Sequence, residues 1–265
     1  MPSLDPFLSH VGPFLLVLFR ISGLLVFSPI LSSTILPIRM RALLTFAFTL
    51  AIYPTLSTVN HTPVNTDLLS LAPALFGETL IGTAMGLMAS LPMYAVQLGG
   101  LVMGQQAGLS LGQVYNPALD VETDTLGQFL QYGALVIFIL MGGLELLFMG
   151  LADTFTHVPI MRAAPGGPFA PVELLSGLIA SGFELALRVS APVLCIILIE
   201  TIATSLLART IPQLNIQSLG FAVKIIITLA ALAAGVARIL HATGEDTTHT
   251  LGAILRWAGG LTPNG

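Results

Sequence analysis

Apolar residues gather in six blocks: Phe7 to Leu36, Ala42 to Leu56, Leu68 to Met103, Leu130 to Leu151, Leu174 to Leu207 and Leu219 to Leu240. One helical membrane crossing needs roughly 20 residues. Leu68 to Met103 and Leu174 to Leu207 exceed one crossing and fall short of two ordinary ones. Each carries an internal proline, Pro92 and Pro192, at which a helix kinks or breaks. Ala42 to Leu56, at 15 residues, is too short. Lengths so uneven predict bent helices and helical hairpins packed against other protein, an all-α membrane-associated fold, rather than a regular row of lipid-facing spans.

Composition narrows the class. Of 265 residues, 55% are hydrophobic and only 8% charged, and the mean hydropathy is +0.92, whereas an ordinary soluble domain carries roughly 25% charge. No Ser/Gly tract or charge run marks a linker, so residues 1–265 are expected to form a single domain. No basic residue precedes Arg20 and Asp5 is acidic, so the first block lacks a secretory leader's positive start and is expected to stay in the mature protein. Cys195, the only cysteine, excludes an internal disulfide and is expected to be a small buried hydrophobe. A net charge of −4, with nine basic residues scattered singly, leaves no footprint for nucleic acid. Simple alternation would put Arg39, Arg41 and Arg209 on one side of the membrane and Arg162 and Arg256 on the other; a margin of one residue fixes no orientation.

Glycine supplies the clearest period. Gly100, Gly104, Gly108 and Gly112 recur every four residues, which on a helix makes a stripe where another backbone can approach, and predicts a packing or hinge role. Gly82 and Gly86, followed by Ser90, repeat the pattern. The string "GLSLG", Gly108 to Gly112, matches a nucleophile elbow at Ser110, but its strand-turn-helix setting is missing. There is no H-E-x-x-H, no phosphate-binding loop and no clustered Cys/His set, so the chain is read as non-enzymatic, without cofactor or metal. Charges inside the apolar blocks are Arg20, Glu78, Glu145, Glu184, Arg188, Glu200, Lys224 and Arg238. Glu184 and Arg188, four apart with the acid first, read as a structural pair. Glu78, on the Gly82 and Gly86 face, either bonds a neighbouring chain or lines a solvated cavity.

Between the last two blocks lies the polar stretch "RTIPQLNIQSLGFAVK", Arg209 to Lys224. In an antiparallel hairpin with its apex at Pro212, Arg209 and Asn215 lie three residues away on either side, and Glu200 and Lys224 twelve. Nine helical residues below the turn put Glu200 and Lys224 about 14 Å down opposite arms at equal depth, where they can meet. The turn, with Gln213, is then a polar tip and the charge pair a clamp beneath it.

"ARTIPQLNIQSLGFAVK", from Ala208, resembles the signature loop of the FliR family of flagellar biosynthetic proteins, whose virulence-system counterparts are its homologues. Further matches follow in order: Arg20 and Pro29, "LPIRMRALL", "ETLIGTAMGL" from Glu78 and "GGLVMGQQAGLSLGQVYNP" from Gly99. The chain departs from the family pattern at Asn116, at Ala222 and around Glu145. The resemblance implies a non-enzymatic core subunit of the type III export gate, in the bacterial inner membrane at the flagellar basal body. It implies assembly with FliP-like and FliQ-like chains into a channel for unfolded exported proteins, next to FlhA-like and FlhB-like proteins. Residues 1–172 would be FliP-like and residues 173–265 a FliQ-like helical hairpin. A plug would span Gln105 to Asp124, bringing Gly104, Gln105, Gln106, Gly108, Ser110, Gly112, Asn116 and Pro117 to the gate. Rival readings are a polytopic secondary transporter or channel, which calls for an internal repeat that the blocks do not show, and a serine protease at Ser110, which needs a base facing it. A virulence-type secretion homologue is the remaining alternative.

Overall fold

The computed structural model describes residues 5–31, 37–56, 68–109, 124–158, 160, 170–210 and 216–259. These form seven α-helices: α1 Asp5–Phe27, α2 Ile38–Ile52, α3 Leu68–Ala107, α4 Thr125–Leu140, α5 Gly143–His157, α6 Ala170–Thr210 and α7 Ile216–Ala258, with a 3-10 turn Tyr53–Thr55 after α2. No strand occurs among the described residues, and the chain is an all-α membrane protein. Four helices are apolar and long enough to cross a bilayer, through His10–Phe27, Leu71–Ala107, Leu174–Thr210 and Gly220–Ala258.

The helices depart from the apolar blocks at three points. Neither Pro92 nor Pro192 ends its helix: α3 and α6 continue through them, because a proline in a long apolar helix loses one ladder bond that its packed surroundings tolerate. The block Leu130 to Leu151 divides instead at Gly142, whose φ of +69° leaves the right-handed region and ends α4 before α5 begins. Finally, α7 runs past Leu240 to Ala258. Its polar extension keeps Thr243, Thr247 and Thr250 buried, and Thr243 donates to the Ile239 carbonyl at 2.7 Å. The same device serves Thr49, Thr83, Thr201 and Thr228, whose hydroxyls each donate to the carbonyl four residues back. A hydroxyl that bonds within its own helix can sit in apolar surroundings at little cost.

The described residues belong to two compact units. The first comprises Met1–Leu91, Ile139–Ile179 and Thr247–Gly265, the second Pro92–Phe138 and Ala180–Asp246. Each unit draws segments from both sides of residue 172. In the first, α1 lies against the start of α3 so closely that a Cβ at Gly86 would stand 2.6 Å from the Leu24 carbonyl oxygen, and one at Gly23 would stand 2.8 Å from the Thr83 nitrogen. Phe48 of α2 stacks on Phe148 of α5 with ring centroids 4.4 Å apart. In the second, Val96 and Met103 of α3, Leu130 of α4, Val189 of α6 and Ile239 of α7 form a common core. There the end of α3 crosses the start of α4 where a Cβ at Gly100 would come within 2.5 Å of the Gly127 Cα.

Many large apolar side chains face outward, among them Leu187, Leu198, Ile199 and Ile226. Cys195 shares this exposure, against the expectation of burial. Apolar surroundings in sequence imply burial only when the solvent is water. On a membrane helix the outer face is apolar too.

Candidate functional site

The polar groups that the sequence scatters through apolar blocks come together at three places. The first is in the unit holding α1. Arg20 is wholly buried and its guanidinium is used on every side. Its Nε donates to Glu78 Oε2 at 2.5 Å, Nη1 to Thr154 Oγ1 at 3.1 Å and Nη2 to the Val158 carbonyl at 3.1 Å. The cation also lies 4.4 Å from the centroid of the Phe155 ring. Local sequence explains the placement. Glu78, Gly82 and Gly86 are spaced by four on one face of α3. A Cβ at Gly82 would overlap the Arg20 carbonyl oxygen, so the glycines let α1 approach until Arg20 reaches Glu78. Glu78 therefore bonds within its own chain and is buried, which corrects the solvated-cavity reading. A buried guanidinium with a hydrogen bond at each of its three nitrogens fixes α1, α3 and α5 together.

The second place is the hairpin of α6 and α7. Glu200 Oε2 stands 3.9 Å from Lys224 Nζ, an ion pair longer than a hydrogen bond. Thr204 and Gly220, each eight residues from Pro212, also face each other, a Cβ at Gly220 lying 3.9 Å from Thr204 Cγ2. Farther down the arms, Ser181 donates to Asp246 Oδ1 at 2.9 Å. Arg209 is exposed at the end of α6. Pro212, Gln213 and Asn215 lie outside the described residues, as do Ser110, Gly112, Asn116 and Pro117. Glu184 and Arg188 pair at 3.1 Å on an exposed face, where such a contact is worth little.

The third place is the pair of helix ends flanking residues 110–123. The four-glycine stripe does not continue as one helical face, because α3 ends at Ala107 and Gly108 has φ +83°. Gly108 N donates to the Gln105 carbonyl at 3.1 Å and Leu109 N to the Gly104 carbonyl at 3.0 Å, the paired bonds of a glycine-terminated helix. Gly104 is buried, while Gln105 and Gln106 are exposed on the last turn. At the other end Asp124 caps α4: its Oδ1 accepts from Gly127 N at 3.0 Å and its Oδ2 from Gln97 Nε2 at 3.3 Å. Both ends of the intervening segment are thus fastened by side-chain or glycine caps. The capping by Asp124 escaped the sequence reading, although an acid three residues before Gly127 at a helix start is its signal.

These arrangements define a polytopic helical membrane protein whose buried polar groups brace helices against one another. The chain belongs to a family: the model for bacterial export proteins, family 1, matches residues 11–249. It is similar to the "Flagellar biosynthetic protein FliR" of Bacillus subtilis, with 30% identity over 83% of this chain and 84% of that one. The protein of the same description from Aquifex aeolicus is 31% identical over 82% and 83%. The "Yop proteins translocation protein T" of Yersinia pestis is 24% identical over 79% and 80%.

Proposed function

We propose that this chain is a core subunit of the flagellar type III protein export gate in the bacterial inner membrane. It would assemble there with FliP-like and FliQ-like subunits around the channel through which unfolded flagellar proteins leave, beside FlhA-like and FlhB-like proteins. The observation that carries the reading is the family match together with relatives described as flagellar biosynthetic proteins over more than four fifths of both chains. The flagellar relatives are more similar than the Yersinia one, which favours flagellar over virulence cargo. The outward apolar faces of α6 and α7 support a subunit with helical neighbours. The proposed work is conduction and closure rather than catalysis.

The segment from Gln105 to Asp124 is the proposed plug. Its anchors support this role, since a Gly108 cap and an Asp124 cap hold the two flanking helix ends. Purification in mild detergent followed by mass measurement tests the assembly: the expected result is a large complex containing FliP-like and FliQ-like chains, and a functional monomer would overturn it. Replacing residues 110–122 by a short Gly/Ser linker tests the plug. The complex should still assemble and make cells overproducing it permeable to small ions. An assembled complex as ion-tight as the wild type would remove this segment from the gate.

A further inference from the structure

Between α6 and α7 the second unit has a cleft of about 260 Å³, lined by Glu200, Thr204, Ser205, Ala208, Gly220, Phe221 and Lys224. Its chemistry is one-sided. Glu200 is only 7% exposed, and its Oε1 is buried without a hydrogen-bond partner among the described residues. The other oxygen, Oε2, has only a long contact of 3.4 Å from Thr201 and the 3.9 Å ion pair to Lys224. The hydroxyls on the wall have already spent their hydrogens. Thr204 Oγ1 donates to the Glu200 and Thr201 carbonyls at 3.0 and 3.1 Å, and Ser205 Oγ donates to the Thr201 carbonyl at 2.7 Å. What these hydroxyls still offer is lone pairs. The cleft therefore presents an undersatisfied carboxylate and two spare acceptors, with one loosely held ammonium, and an anion would meet the wrong charge at Glu200.

We infer that this cleft is a guanidinium site, filled by an arginine side chain from another polypeptide of the assembly. A guanidinium is planar, carries five donors in a fork that matches both oxygens of a carboxylate, and is more weakly hydrated than an ammonium. With a turn of the Glu200 carboxylate that brings Oε1 to the cleft it would bond both oxygens, and its remaining N–H groups would find Thr204 and Ser205. The Phe221 ring on the same wall suits its flat face. Lys224 is then a displaceable counter-ion. That the arginine belongs to a neighbouring subunit rests on the assembly proposed above, whereas the chemistry of the cleft does not.

The test uses the full chain in mild detergent with the exposed Cys195 replaced by alanine and a reporter thiol introduced by Ala208→Cys. The rate of alkylation by N-ethylmaleimide is measured with millimolar n-propylguanidinium, n-butylammonium or n-propylurea. Propylguanidinium should slow the reaction about threefold, the protection given by a ligand at twice its dissociation constant, while the other two should leave it unchanged. Glu200→Gln should abolish the protection. Lys224→Gln, which removes the competing cation, should lower the concentration needed for half-protection about tenfold. The opposite directions of the two variants cannot come from misfolding. Equal protection by the urea or the ammonium, protection surviving Glu200→Gln, or no protection at all would overturn the guanidinium site. The same thiol is then compared in the assembled complex, where it should be shielded with Glu200 and reactive with Glu200→Gln. A cleft that accepts propylguanidinium in the isolated chain but stays equally open in the complex would overturn the arginine of a neighbouring subunit.

Discussion

Exchanging Arg20 and Glu78 for apolar residues, singly and together, separates a brace from a coincidence of charges. Arg20→Met leaves the Glu78 carboxylate buried without its 2.5 Å donor, and Glu78→Leu leaves a buried guanidinium with only the Thr154 hydroxyl and the Val158 carbonyl. Breaking a buried pair from one side costs about 3–5 kcal/mol. The double variant has no orphaned charge. Thr154 still donates to the Leu151 carbonyl at 2.6 Å, so the chief deficit is the carbonyl that Nη2 served, on the order of 1–3 kcal/mol. The double variant should thus be no worse than either single one, with a coupling of about 3 kcal/mol or more between the sites. Trp257, the only tryptophan, is buried in the same unit, so its fluorescence reports unfolding of the detergent-solubilised protein there. At about 2–4 °C per kcal/mol for a chain of this size, each single variant should melt about 6 °C or more below the wild type. Single losses that add in the double variant to within about 0.5 kcal/mol would refute the pairing. So would an Arg20→Lys variant as stable as the wild type, since lysine has no fork to reach three partners.

Other outcomes follow from the packing. Glu200→Lys and Lys224→Glu should each impair assembly or motility, and the double reversal should recover much of the loss; a double variant no better than the worse single one would show that the two charges do not act as a pair. Gly82→Ala should destabilise by about 1–3 kcal/mol because its Cβ overlaps the Arg20 carbonyl, whereas Gly77→Ala, which meets open space, should be neutral or gain up to about 1 kcal/mol of helix propensity; equal melting shifts would contradict the close approach of α1. Gly108→Ala, at φ +83°, should cost about 1–2 kcal/mol through strain alone, and a Gly108→Asn variant, tolerant of that conformation, should recover part of it in the same melt.

Much of this was legible in the sequence, and the failures have physical causes. Apolar blocks place helices because satisfying the backbone in lipid leaves little else. Equal counts from Pro212 predict Glu200 opposite Lys224, because an antiparallel pair fixes the partner of every residue once an apex is assumed, and the two stand 3.9 Å apart. No such rule joins Arg20 to Glu78. They are 58 residues apart on helices whose register is set by glycine contacts, and periodicity shows only that Glu78 shares their face. A spacing of four continues through a helix end as well as through its middle, so it assigns Gly108 to a stripe that α3 leaves at Ala107. An apolar run does not distinguish a core from a lipid-facing surface, so it predicts burial for Cys195, which is exposed.

The two buried charge sites differ in a way that bears on which can change state. Around Arg20 every guanidinium nitrogen is bonded, so any displacement of α1 against α3 leaves a donor orphaned with no water to replace its partner. Such a site resists motion. At Glu200 the situation is reversed: one oxygen has no hydrogen-bond partner among the described residues, and the counter-ion stands 3.9 Å away. A movement there, or a donor arriving from outside, removes a deficit instead of creating one. Burial alone therefore does not decide whether a charged group is a brace or a point of adjustment; the completeness of its hydrogen bonding does. By that criterion Arg20 and Glu78 hold their helices in one arrangement, and the cleft at Glu200 is where a neighbouring chain has free energy to gain by binding.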